Sequence, residues 1–158
     1  QLDTVHGDMR DLSRLTERSF DLVYQAPSMA YIPSVREVYT QVDAVLRPGG
    51  LYRVALANPA TQFVEERWHQ GGYRIMQPYA RRVMKREDGA IEHRHYLRDI
   101  FNGLIDLGFR IEHVEEAPMH LSDGTEQTPG SWPHIVAHIP WIFAIVARKE
   151  SPQPPHAG

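Results

Sequence analysis

The residues whose types suit gripping a ligand begin almost at the start of the chain, in VHGDMRDL at positions 5–12. This run reads as the end of a strand, a tight turn and an acidic loop. In an open α/β sheet a ligand binds there, outside the carboxyl end of a strand. Asp8 taken alone is ordinary loop chemistry, a carboxylate that caps a turn. Met9 taken alone is core filler more often than a ring contact. Tyr31, just past a second strand end, either lines a pocket or lies half-buried beneath the following helix. His93 and His95 sit two apart on a strand and so point to one face. That spacing can bind metal, but no third ligand stands at a definite spacing, so a polar hairpin face is expected and no metal site. His120, Trp132 and His134 belong to a late loop, and loops at the ligand end of such a sheet often shape substrate choice. Each of the three also fits surface or packing. The sequence singles out no catalytic residue.

The elements that must position these residues alternate for most of the chain. FDLVYQA, residues 20–26, is an apolar run without a helical stripe and reads as a buried strand. The turn PSMAYIP follows. Ser34 as N-cap with Glu37 three residues on forms a capping box. Val35, Val38, Tyr39, Val42, Val45 and Leu46 then recur at helical spacing, and Pro48, Gly49 and Gly50 end the helix. LYRVALA, residues 51–57, reads as the next strand and completes a βαβ unit.

Residues 60–95 break the alternation. QFVEERWHQ reads as a short helix. ARRVMKRE and AIEHRHY flank Asp88-Gly89, a two-residue turn joining antiparallel strands, so a polar hairpin is inserted over one end of the sheet. A helical stripe returns at Leu97, Ile100, Phe101, Leu104 and Ile105 and stops at Gly108. FRIEHVEE is a strand, residues 117–134 form a loop, and WIFAIVARK is a central strand, apolar on both faces. Arg53 stands inside a strand for no reason visible in the sequence.

The chain has 158 residues, 42% of them apolar, which is enough for one sizeable core and one domain. The net charge of −3 and the lack of a basic run disfavour a nucleic-acid partner. The longest apolar run, Ile139 to Ala147, is too short to span a membrane. With no cysteine there are no disulfides, thiolate metal sites or thiol nucleophiles, which fits a cytoplasmic protein. Gln1 is not a start methionine, so processing or truncation is expected, and residues 150–158 read as a disordered tail.

In order, GDMRDL, FDLVYQAPSMAYI, a capped helix ending LRPGG, a strand ending in Asn-Pro, FNGLIDLGFRIEHVEE and IPWIFAIVARK resemble the class I S-adenosylmethionine-dependent methyltransferases, in their small-molecule branch. The likeness runs over about residues 2–149. It implies a Rossmann-like α/β sheet whose closing strand is antiparallel, and S-adenosylmethionine as methyl donor. The loop would hold the donor's adenine. Asp8 would accept from the exocyclic amine, since an ionised carboxylate only accepts. Met9 would lie against the ring, with its N–H on a ring nitrogen. Gln25 to Ser28 would face the sulfonium and the incoming acceptor. Tyr31, His95, His120 and Trp132 are the substrate-side candidates. A general base is needed only for a hydroxyl or protonated amine, with His95, His120 and Tyr31 as candidates.

The family's Gly-rich donor-binding loop is missing. None of the eleven glycines forms the fingerprint, and neither Gly49-Gly50 nor Gly71-Gly72 follows a strand and opens a helix. The sheet is therefore expected to be incomplete. FDLVYQA would lie at an open edge, a template for another strand, and the Leu2–Val5 stub would lack a neighbour. A dimer or a complementing N-terminal segment is expected. The function implied is methyl transfer to a small-molecule acceptor, with the missing half required. The alternative is a non-catalytic remnant acting as a binding or oligomerisation module. A flavodoxin-like domain fits less well, because those sheets are parallel throughout.

Overall fold

The computed structural model describes residues 3–15, 20–61, 64–116 and 128–151, with the side chains of residues 65 and 66 left out. In chain order it contains β1 (Phe20–Gln25), α1 (Val35–Val45), β2 (Leu46–Ala57), β3 (Val64–His69), β4 (Gly72–Ile75) and β5 (Val83–Lys85). There follow β6 (Ile91–His93), α2 (Leu97–Ile105), β7 (Phe109–Glu116), α3 (Trp132–His138) and β8 (Ile142–Lys149). Four strands form one open sheet in the order β1-β2-β8-β7. β1 is parallel to β2, while β8 is antiparallel to both β2 and β7. The closing strand thus inserts beside β2 with both of its edges paired, and Phe143, Ala144, Ile145 and Ala147 are buried. No helix among the described residues is long and apolar enough to cross a membrane.

The stripe on α1 is what its spacing dictates: Val35, Val38, Tyr39, Val42 and Val45 are all buried. They pack on Tyr52, Val54 and Leu56, which alternate onto one face of β2, and on Ile100 and Leu104 of α2. Each such apolar side chain contributes about 1.5–3 kcal/mol on burial. A β-carbon at Gly103 would lie 3.1 and 3.2 Å from the Tyr39 ring, so α2 approaches α1 this closely only through a glycine. The stripe on α2 is narrower than its pattern suggests, since Leu97 and Ile105 are exposed. Ser34 does start α1, but its side chain makes no capping hydrogen bond, so the capping box marks the boundary without its bond.

Several segments differ from the sequence reading. Residues 3–8 form no strand; with no neighbour, the stub has no ladder to join. β2 begins at Leu46 rather than at Leu51, with an irregular register opposite Phe20–Leu22 where LRPGG is accommodated. QFVEERWHQ is not helical: β3 pairs with β4 across a turn whose central residues, Gln70 and Gly71, both have positive φ (38° and 98°). Turns of this kind match the twist of a hairpin and depend on residues such as glycine. The insertion therefore holds two hairpins, not one. In the second, Arg86 N–H donates to the Ala90 carbonyl at 2.8 Å, making the connection Glu87–Gly89 three residues rather than two. The loop assigned to 117–134 gives way to α3 at Trp132. Residues 117–127, with His120, and 152–158 lie outside the described residues.

The sheet face away from α1 and α2 carries Leu22 and Tyr24 at 55% and 63% exposure. Arg53, unexplained in the sequence, projects among them. Its guanidinium lies 5.3 Å from the Tyr24 ring centroid and 2.7 Å from Glu115 on β7.

Candidate functional site

The Asp8 loop reaches the sheet through two contacts. The Leu12 N–H donates to Gln41 Oε1 of α1 at 3.0 Å, and Met9 packs against the core cluster. Within the loop, the Asp11 N–H closes a turn on the Asp8 carbonyl at 2.9 Å. Both Asp8 carboxylate oxygens face Arg10: Nη2 is 2.6 Å from Oδ2, and the Arg10 N–H is 2.8 Å from Oδ1. These hydrogen bonds, the guanidinium's first, hold the Asp8 carboxyl down to about 2. Asp8 is therefore an ionised, acceptor-only group. A cleft of about 350 Å³ opens over Gly7, Asp8 and Met9.

At the carboxyl end of β1, Gln25 Nε2 lies 3.6 Å from Met9 Sδ and donates to Ser28 Oγ at 3.1 Å. The other end of that amide is fixed from behind, where the Tyr52 hydroxyl donates to Gln25 Oε1. Tyr52 is fully buried, and burial pushes its phenol up, so it stays protonated and remains a donor. The pair Tyr52–Gln25 aims the amide nitrogen at the loop.

A second cleft, about 550 Å³, is lined in part by Ser28. Ser28 and Tyr31 follow β1, Ala57 ends β2, and Trp141 precedes β8, so this cleft also sits at the carboxyl end of the parallel strands. α3 forms one wall with Trp132, Ile135 and Val136, and the second hairpin contributes Arg86 and Glu92. α3 starts where Ser131 accepts from the His134 N–H at 3.4 Å, with a proline in the first turn. Its other face carries His134 and His138 against the first hairpin. The Tyr73 hydroxyl lies 2.6 Å from His134 Nδ1, and the Trp68 ring packs on both histidines.

The structure places Asp8 and Met9 at the first cleft, with Gln25 Nε2 3.6 Å from Met9 Sδ, and Tyr31 and Trp132 at the second. His95 does not line that cleft. It lies beyond the end of β6, buried, with Nε2 donating to the Met29 carbonyl at 2.9 Å. His93 is the last residue of β6 and His95 lies beyond it, yet both line one small pocket with Met29, Leu56 and Ile100. Among the described residues no cluster of His, Cys, Asp or Glu is placed to hold a metal ion. Sequence reasoning missed Tyr52, Trp141, Arg86 and Glu92. Tyr52 looks like any apolar strand residue, and the others only meet through tertiary packing.

Burial holds both His95 and His134 below the usual imidazole range, His134 also by the neighbouring His138. In the unfolded chain these rings protonate below about pH 6.5. Their neutral native forms thus contribute stability that is complete above that pH and is lost as pH falls towards the lowered native values. The melting temperature should drop between pH 7.5 and pH 5, and His95→Asn should flatten part of the drop. A melting temperature that does not change over this interval excludes the assignment.

A family profile described as a methyltransferase domain matches residues 1–54. An uncharacterized methyltransferase of Bacillus subtilis, YbaJ, is 30% identical over 120 residues, covering 68% of this chain and 47% of that protein. A sterol 24-C-methyltransferase of Gibberella zeae is 25% identical, covering 84% of this chain and 32% of that protein. The chain therefore spans half or less of the length of these relatives. Among solved structures, an S-adenosylmethionine-dependent methyltransferase from Mesorhizobium loti superposes with a TM-score of 0.64 at 25% identity. It covers 90% of this chain and 67% of that one. A putative S-adenosylmethionine-dependent methyltransferase from Listeria monocytogenes gives 0.69 at 14% identity, over 92% and 68% of the two chains, a likeness of fold.

Proposed function

We propose, for a chain that belongs to the class I S-adenosylmethionine-dependent methyltransferases, that it binds the methyl donor beside Asp8 and a small-molecule acceptor in the cleft beyond Ser28. One observation carries the reading. Ser28 lines the second cleft and accepts from Gln25, whose amide nitrogen lies 3.6 Å from Sδ of Met9 in the first, so one short relay of side chains links the two clefts.

The residues present fit the nucleoside half of the donor. Asp8 is a permanently ionised acceptor for an exocyclic amine, and Met9 offers a polarizable side chain beside it. S-adenosylmethionine supplies a methyl group already activated on a sulfonium. The protein's task is then orientation and exclusion of water. Gln25, anchored by Tyr52, and Ser28 position the space between the two clefts. Trp132, Ile135 and Val136 of α3 cover the acceptor side, and the His134–Tyr73 contact ties that cover to the first hairpin.

The donor site is completed by strands that pair with β1, supplied by an N-terminal segment or a second copy. Support comes from Leu22 and Tyr24, which present apolar surface on an edge strand, a surface that natural edges blunt with charge. The same surface also fits the second reading, a non-catalytic module that uses this edge to associate. Replacing Leu22 and Tyr24 by Lys in this chain should convert an associating species into a monodisperse monomer in light scattering. If the wild-type chain is already a monomer with a sharp melt, the open edge is not an association surface. Calorimetry with S-adenosylmethionine on the full-length protein separates the two functions: saturable binding supports the enzyme, and its absence supports the module.

A further inference from the structure

The acceptor cleft has a definite chemical bias. Isolated exposed apolar residues are ordinary on a protein surface. Here Tyr31, Trp132 and Trp141, at 55%, 48% and 44% exposure, converge on one cleft. The two indoles meet edge to face, 5.0 Å apart at 82°, which leaves ring faces available for stacking. Among the described lining residues Arg86 is the one cation, and it is already engaged. Its Nη1 lies 2.8 Å from Glu92 Oε1, and its Nε lies 3.4 Å from Asp88 Oδ2. A carboxylate or phosphate entering the cleft would have to displace Glu92 from a charge-assisted bond. The remaining polar groups include the Ser28 and Thr61 hydroxyls, which donate to the Ala26 and Asn58 carbonyls at 3.0 and 2.7 Å and keep lone pairs that can accept from a ligand. The volume falls within the range of pockets for small organic ligands.

We infer that the cleft binds flat, uncharged aromatic molecules, such as fused-ring phenols or neutral nitrogen heterocycles, and rejects anions. This rests on reading the cleft as the acceptor side, but it is tested without the donor. The chain's own tryptophan fluorescence is titrated at pH 7 with 2-naphthol, with naphthalene-2-sulfonate and with the saturated analogue decahydro-2-naphthol. 2-Naphthol should quench saturably, and the other two should bind about tenfold or more weakly. Trp132→Ala should weaken 2-naphthol binding several-fold, and Tyr31→Leu is the second variant should the first fail to fold. Glu92→Gln removes the shorter of the two carboxylate contacts of Arg86 and should raise the affinity for the sulfonate several-fold. The inference is overturned if the sulfonate binds wild type as tightly as 2-naphthol, or if neither Glu92→Gln nor the aromatic substitutions change binding. No saturable quenching by any probe also overturns it, since the cleft is then covered by the chain itself. Separate calorimetry with S-adenosylhomocysteine on the full-length protein tells the two readings apart. Lost donor binding with 2-naphthol binding retained removes the donor site alone.

Discussion

Asp8→Ala in the full-length protein is expected to weaken S-adenosylmethionine binding tenfold or more, while leaving the melting temperature nearly unchanged. The first effect follows from removing an ionised acceptor that would meet an N–H donor in a charge-assisted bond, stronger than a neutral one. The second follows from exposure. The Asp8 and Arg10 side chains are 47% and 44% exposed, and an ion pair open to solvent adds little to stability. Asp8→Asn keeps one acceptor oxygen and should lose less than Ala. Because Arg10 holds the Asp8 carboxyl down to about 2, donor binding should not respond to Asp8 protonation at any pH above about 4. Titration calorimetry of the three proteins over pH 5–8 measures all of this. Equal affinities for wild type and Ala remove the adenine assignment.

The largest effect on stability is expected at Tyr52. Its ring is fully buried between Tyr39, 5.9 Å away and edge-on, and Phe109, 6.3 Å away. Tyr52→Ala should cost about 3–5 kcal/mol, by lost transfer energy and by the cavity left behind. Against a total of about 5–15 kcal/mol for a typical domain, that brings the fold close to collapse. Tyr52→Phe keeps the ring and removes only the bond to Gln25, so its cost should be about 0.5–1.5 kcal/mol. The comparison separates packing from positioning. Urea melts should show a large shift for Ala and a small one for Phe. Phe alone should then reveal the loss in donor affinity caused by an unanchored Gln25 amide. If Phe melts and binds as wild type does, Tyr52 is a core residue and nothing more.

The pattern of residues revealed the sheet more completely than the insertion. The α1 stripe and the strand around Val54 were legible from the pattern of apolar residues, and the antiparallel ending came from the family resemblance. Even the edge position of β1 was legible, through the absence of a Gly-rich turn elsewhere in the chain. β3 was misread because EERWH carries no apolar alternation, and its pairing is dictated by the turn at Gln70-Gly71 instead. α3 has seven residues and stands in a segment rich in turn formers, so no stripe could emerge. In the site, Asp8, Met9 and Gln25 were singled out by the family resemblance, and the Asp8 and Tyr52 substitutions test their role at the donor. Tyr31 and Trp132 were among the substrate-side candidates, but their convergence with Glu92 and Trp141 was not legible, because the four residues lie far apart along the chain. Their meeting depends on packing, which no local pattern encodes.

We place the methyl donor between the Asp8 loop and the carboxyl end of β1. Hydrogen–deuterium exchange of the full-length protein, with and without S-adenosylhomocysteine, reads this directly. Protection is expected at residues 7–12 and 25–31, with α2 and β7 unchanged. Protection confined to other segments, or none under saturating ligand, contradicts it.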